Sequence, residues 1–450
     1  MKRALLLAYY FPPIAASGSM RPAGFSSYLE EYGYLPHVVS TAVEDAHPPV
    51  ESDATLERLV KPGIRVDRLA HRNHLKMLLE LRDRASSAAV PPGIDRGEEA
   101  ADPASVGQRQ SADVGLLKRA RRRVLERLFL FPDHQKPWIQ AATVHAAKLP
   151  AEERPDLVFA TGNPWSGLVA GMNIARKLKI PFVADFRDPW VRNPKPAVSA
   201  SLSIKAEQLE RKIVHAADRV IANTEELRRA FIEDYPEIEE RVVTITNGYN
   251  PILMEELSAC RGTPEHKCKL EFSHYGSVYE LRSPVNLLKA ITRLAESGRI
   301  VPGDLLIRFV GNWIVESSAC NQMADSLESA GYIARTPALP HDEYLRSMQS
   351  SQHLLVLQQA FPLQIPGKIY EYLATGRPLV IVGGEGATAN LVERYNLGLT
   401  CGNSVERLAT MLERMVSEEI QVAENSGSGL QRFSYRSLSG ELARVFDQLT

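Results

Sequence analysis

Short runs of consecutive apolar residues recur along the chain. Each is followed by a polar loop and then by a stretch with helical apolar spacing. In the first half, the runs Ala4–Ala8, His37–Ser40, Leu157–Ala160, Phe182–Ala184, Arg219–Ala222 and Val242–Thr246 predict strands. Several are apolar at successive rather than alternate positions, as in parallel strands covered on both faces. Helices are predicted over Met20–Tyr32, Trp165–Leu178, Leu202–Ala216 and Glu225–Asp234. The rhythm then restarts, with strands predicted at Leu270–Tyr275, Leu305–Val310, Leu354–Leu357 and Leu379–Val382. The helices predicted with them cover Val285–Glu296, Ala319–Ser329, His341–Gln349, Lys368–Thr375 and Ala387–Arg394. Strands alternating with helices imply right-handed βαβ units. Two such series imply two Rossmann-like doubly wound α/β domains.

The expected division is a first domain over residues 1–255, a second over 268–430, and a C-terminal helix within 431–450 that packs back on the first. The boundary falls in the polar stretch between Pro251 and Lys269. Residues 85–114, with Ala85-Ser86-Ser87 and Pro91-Pro92-Gly93, are poor core formers and are expected to be a mobile insertion.

Composition narrows the function classes. A length of 450 residues exceeds what one hydrophobic core usually serves. A formal net charge of −1 offers no basic excess for nucleic acid. Cys260, Cys268, Cys320 and Cys401 form no CxxC pair, so neither a disulfide framework nor a metal site is expected. This usage fits a reducing cytoplasm. The opening apolar run is too short for a leader and stops at Pro12-Pro13. No run approaches the roughly 20 apolar residues of a membrane span. Residues 116–130 are different, because Leu116, Leu117, Ala120, Val124, Leu125 and Leu128 form one stripe on a strongly basic helix. That pattern suits peripheral contact with an anionic membrane, and equally a helix packed on the domain.

Chemistry is expected in the loops after the strands, because open α/β sheets bind ligands beyond their carboxyl ends. The first such loop runs from Tyr9-Tyr10-Phe11-Pro12-Pro13 to Gly18, where a glycine admits close approach of a ligand. It lacks the GxGxxG pattern of a dinucleotide site. Thr161-Gly162-Asn163-Pro164-Trp165 offers a polar turn through Asn163 and an aromatic platform through Trp165. Asp185-Phe186-Arg187-Asp188 sets three charges after a buried strand, where Asp185 or Asp188 could serve acid–base work and Arg187 could hold an acceptor. In the second half, Gly276-Ser277 ends a strand and Arg282 follows, a pairing suited to a diphosphate. Gly367-Lys368 opens a helix whose first turn carries Glu371. There a carboxylate can accept from ribose hydroxyls, and Lys368 can face the phosphates.

At these residues the chain resembles the glycosyltransferases of family 4, which have the GT-B fold. The resemblance spans Tyr9–Pro13, Ala184–Trp190, Ala217–Asn223, Thr246–Tyr249 and the run Gly367–Pro378. It implies a retaining, metal-independent transfer of a hexose from a nucleotide-diphosphate sugar, with UDP as the family default and no cofactor. The acceptor implied is a glycan or lipid-linked molecule, and the setting is cell-surface polysaccharide or glycolipid synthesis. By the resemblance, Glu371 is the second glutamate of E-x7-E, Arg282 the phosphate-binding lysine's counterpart, and Gly276 and Gly18 the loop glycines. Two positions depart from the pattern: the first glutamate falls at Leu363, and the phosphate-binding arginine at Ser277. An epimerase or phosphorylase on the same fold, or a non-catalytic nucleotide-sugar binder, are the alternatives.

Overall fold

The computed structural model describes residues 1–46, 51–71, 131–194, 200–259, 268–422, 424 and 430–450. The expected insertion at 85–114 and the basic helix at 116–130 lie outside the described residues. The strands are β1 (Lys2–Leu7), β2 (Tyr34–Thr41), β3 (Arg65–Leu69), β4 (Leu157–Gly162), β5 (Phe182–Phe186), β6 (Arg219–Ala222), β7 (Val242–Thr244), β8 (Leu270–Tyr275), β9 (Val278–Tyr279), β10 (Leu305–Val310), β11 (Trp313–Ile314), β12 (Ile333–Thr336), β13 (His353–Gln358), β14 (Leu379–Gly383) and β15 (Gly398–Cys401). The described helices are α1 (Met20–Tyr28), α2 (Lys136–Ala147), α3 (Trp165–Leu178), α4 (Ala200–Ala216), α5 (Glu225–Asp234), α6 (Pro251–Ala259), α7 (Val285–Glu296), α8 (Ser318–Ser329), α9 (His341–Ser350), α10 (Lys368–Thr375), α11 (Ala387–Tyr395), α12 (Val405–Val416) and α13 (Tyr435–Asp447).

Two parallel sheets result. The first runs β3-β2-β1-β4-β5-β6-β7 and the second β12-β10-β8-β13-β14-β15. Each winds outward in both directions from a central pair, β1 and β4 or β8 and β13. Beyond the carboxyl ends of such a pair the chain departs to opposite sides and leaves a crevice. Alternate residues of each strand feed two cores. Leu355 and Leu357 of β13 pack with Phe272 and Leu305 on one face, and Leu354 and Val356 pack with Ile369 and Ile381 on the other. Double coverage is why these strands read as unbroken apolar runs.

The strands absent from the sequence reading, apart from the short β9–β11 pair, are β3, β12 and β15, and all three lie on sheet edges. Arg65, Asp67 and Arg68 of β3 are charged, and no residue of β3 or β15 is fully buried. An edge strand needs only one covered side, so its apolar run is lost. Helix α6 also changes the expected boundary. Its Leu253 and Leu257 join Tyr249 in the core with Ile369 and Leu373, so residues 251–255 pack with the second domain.

The chain crosses between domains at 245–250 and returns at 430–435. The two crossings touch: Tyr249 N–H donates to Phe433 O at 2.9 Å and Tyr435 N–H to Tyr249 O at 2.9 Å. Gly248 permits this approach, since a Cβ there would lie 2.3 Å from the Phe433 carbonyl oxygen. Helix α13 then packs Leu438, Leu442 and Phe446 against Phe25, Tyr34 and Phe159 of the first domain.

Candidate functional site

The crevices of the two sheets face each other across a cleft of about 400 Å³. Its second-domain wall carries Arg282, Gly367, Lys368 and Glu371, and its first-domain wall carries Arg21, Arg187 and Asp188. Helix α10 opens at Lys368 and ends at Gly376 in the left-handed conformation, φ 74°. Lys368 and Glu371 are three residues apart and so share one helical face.

Lys368 is held by its neighbours. Its Nζ donates to the Tyr275 carbonyl at 2.8 Å and lies 3.3 Å from His274 Nε2. His274 is wholly buried, and its Nδ1 sits 3.0 Å from the Leu355 carbonyl. A carbonyl accepts only, so Nδ1 carries the proton and Nε2 offers its lone pair to Lys368. Two of the three ammonium hydrogens are thus used, which leaves the third for an anion. Gly276 adopts φ 115° next to this ammonium, and a Cβ there would stand 3.5 Å from Nζ. Arg282 lies across the rings of Tyr279 and Phe361, 5.8 and 5.6 Å from their centroids.

Burial pushes the Lys368 ammonium well below the ordinary lysine range, and Arg282 adds to this while Glu371 opposes it. Only the protonated form has a hydrogen left over for a diphosphate. Affinity for a diphosphate is therefore expected to fall as pH rises through the depressed Lys368 value. Above that value binding should take up a proton, measurable by calorimetry in buffers of different ionisation enthalpy. Affinity flat between pH 6 and 10 would remove Lys368 from the anion site.

Glu371 accepts from Tyr344 Oη at 2.7 Å. Burial first, and Glu371 second, push the Tyr344 hydroxyl well up, so it stays a donor. Beyond Glu371 lies a smaller, more apolar pocket of about 230 Å³, lined by Met20, Tyr249, Leu253, Tyr344 and Tyr435. The same carboxylate edges both spaces.

On the opposite wall, Arg187 is 9% exposed and its guanidinium donates to the Asn163 carbonyl. Gly18 gives it room, as a Cβ there would lie 2.2 Å from Arg187 Nη1. Asp188 Oδ1 accepts from Gln364 Nε2 of the second domain at 2.6 Å. Asp188 and Arg187 thus face the cleft.

Three sequence expectations are corrected. Asp185 is wholly buried, and both its oxygens are taken by Arg21, at 2.7 and 2.9 Å. Arg21 also donates to the carbonyls of Ile245 and Thr246. Asp185 is therefore a structural counter-ion, not an acid–base group. Trp165 is 8% exposed and stacks on Trp190 with centroids 4.8 Å apart, so it is no sugar platform. Asn163 stands off the cleft wall and acts through its carbonyl on Arg187. Gly276 turns beside Lys368 Nζ at the margin of the cleft, and neither it nor Ser277 lines the cleft itself. Leu363, at the position of the missing glutamate, packs on the first domain's core, and its carbonyl accepts from Thr224 Oγ1 at 2.7 Å. Sequence reasoning missed Gln364 and His274. A histidine inside the buried run Leu270–Tyr275 was the available signal.

A larger cavity of about 490 Å³ adjoins the cleft at Ile365. Its wall intersperses Glu225, Glu226, Glu393 and Glu441 with Arg229, Arg394 and Arg432. It has neither the glycine turn nor the start of α10, and it lies away from both switch points. The anion-binding features converge in the smaller cleft.

Comparison with known proteins agrees with this architecture. Residues 100–252 match the model of Glycosyltransferase Family 4. The D-inositol 3-phosphate glycosyltransferase of Thermobifida fusca (strain YX) is 25% identical over 271 residues, 56% of this chain. The matched region spans 60% of that relative's length. Among solved structures, Anabaena HepE in complex with UDP-glucose superposes over the whole of both chains with a TM-score of 0.59 at 15% identity. Sucrose-phosphate synthase from Thermosynechococcus elongatus gives 0.59 at 13% identity, covering 100% of this chain and 99% of that one. At such identities the likeness is one of fold. The protein has the GT-B fold, and its residues 100–252 are similar to Glycosyltransferase Family 4.

Proposed function

We propose that the protein is a glycosyltransferase that moves a hexose from a uridine diphosphate sugar to a glycan or lipid-linked acceptor. The observation that carries this reading is the convergence of Lys368, Arg282 and Glu371 on one wall of the cleft, opposite Arg187 and Asp188. Glu371 accepts from the ribose hydroxyls, and the base enters the apolar pocket edged by Tyr249 and Tyr344. Lys368 and Arg282 stabilise the charge that grows on the departing diphosphate, the electrostatic role a metal ion plays in other enzymes. On this reading the transfer needs no metal ion, and its stereochemistry is taken as retaining from the family resemblance alone. UDP is favoured because solved structures of the same fold hold UDP and UDP-glucose.

Arg187 presents a buried cation to the acceptor, and Asp188, oriented by Gln364, sits where an acceptor hydroxyl approaches. Because Gln364 joins Asp188 across the cleft, domain closure sets acceptor and donor sides together and excludes water, which limits hydrolysis of the donor. Synthesis of cell-surface polysaccharide or glycolipid, at the inner face of the plasma membrane, is the setting that suits such an acceptor. No described helix is long and apolar enough to cross a membrane.

The test is donor turnover with and without acceptor. Stabilisation by UDP-sugars in a thermal-shift screen, with turnover only when a glycan or lipid-linked acceptor is present, supports the reading. Turnover to an isomeric UDP-sugar without acceptor would identify an epimerase, an activity named for another protein of similar fold. Binding without turnover would leave a nucleotide-sugar binder.

A further inference from the structure

Away from the cleft, three side chains from different elements converge on one carboxylate oxygen. His37 Nε2 lies 2.7 Å and His145 Nε2 2.8 Å from the same Asp67 Oδ2. All three donor atoms lie within 4.8 Å of one another. The sheet register explains the meeting. His37 pairs with Arg65 and Val39 with Asp67, so strand alternation puts these residues on one face. Helix α2 covers that face, with Trp138 and Ala142 in the same core as Val39, and its last turn brings in His145. None of the three lines the cleft.

We propose that His37, Asp67 and His145 bind a divalent transition-metal ion of the zinc class. Two imidazole nitrogens and one carboxylate oxygen are a donor set for zinc, with bonds of about 2.0–2.2 Å and water in the fourth place. Tetrahedral donors at such distances stand roughly 3.3 Å apart. Spreading the two His–Asp67 pairs by about half an ångström, with the two imidazole nitrogens brought to the same separation, would admit the ion. Metal binding needs the Nε2 lone pair of each imidazole, so a hydrogen that either ring directs at Asp67 must leave Nε2. Arg65 Nη2 lies 3.3 Å from the same oxygen, but its Nη1 is held by Glu153 at 2.8 Å. Arg65 and Glu153 cancel in charge, and Asp67 remains to balance the ion.

The consequence is mechanical. Among the described residues, β3 is an edge strand paired with β2. An ion at this point would fasten it both to β2 and to helix α2.

The test uses the full chain, stripped with EDTA and titrated with Co²⁺ and then Zn²⁺. One equivalent of Co²⁺ should give visible d–d bands, and Zn²⁺ should bleach them and raise the melting temperature. His145→Gln and Asp67→Asn should each weaken Co²⁺ binding at least about tenfold, with an unchanged circular dichroism spectrum and unchanged UDP affinity. Absence of Co²⁺ or Zn²⁺ binding at micromolar concentration would overturn the proposal. So would binding that survives both substitutions, and the trio would then be a hydrogen-bond network alone. The outcome does not depend on the catalytic reading.

Discussion

Glu371→Ala should weaken UDP binding roughly thirtyfold or more, because a hydrogen bond to a charged acceptor contributes about 1.5–3 kcal/mol and a ribose offers two hydroxyls. The fold should survive, since Glu371 is half-buried and its partner Tyr344 borders the adjoining pocket. Titration calorimetry with UDP measures the loss, and Glu393→Ala supplies the control. Glu393 lines the larger neighbouring cavity and accepts from Thr400 at 2.9 Å. If Glu371→Ala leaves affinity intact while Glu393→Ala lowers it, the nucleotide sits in the other cavity and the assignment of the cleft fails.

The second large effect is on stability. Asp185→Ala removes the counter-ion of a fully enclosed guanidinium, Arg21 being 2% exposed. Removing one partner of a buried ion pair costs about 3–5 kcal/mol, because the remaining charge stays buried without compensation. A fall of that size in the unfolding free energy, measured in urea, is expected. Replacing both members by apolar residues should cost less than the single change, although the carbonyls of Ile245 and Thr246 lose their donor. A single variant as stable as the parent would show that Arg21 finds water or another partner. If Asp185→Ala instead kept full stability and lost only turnover, Asp185 would return to the list of acid–base candidates.

Both effects bear on what the sequence discloses. The GT-B architecture was legible because the strands beside each switch point are buried on both faces and leave continuous apolar runs. The runs failed at β3, β12 and β15, where an edge position tolerates Arg65, Asp67 or Arg335. The cleft positions of Lys368, Glu371 and Arg282 were legible because they follow a strand or open a helix at fixed short spacing. Asp185 was placed at the right strand end but given the wrong task. Its partner Arg21 lies 164 residues away, and no local pattern reports that pairing. Trp165 misled for the same reason, since Trp190, on which it stacks, comes from the next βα loop. His37, Asp67 and His145 are 30 and 78 residues apart, beyond any ligand-spacing motif. What one segment contains can be read along the chain, whereas what distant segments build together needs the fold.

The paired crossings at Tyr249 and Phe433–Tyr435 act on motion. A single connecting segment would let the lobes swing and twist about any line through it. Two segments laced together behave like a door on two pins: swing about the line joining them stays cheap, while torsion shears the lacing. Closure is thereby expected to follow one path that brings the rim carrying Arg187 toward the rim carrying Lys368.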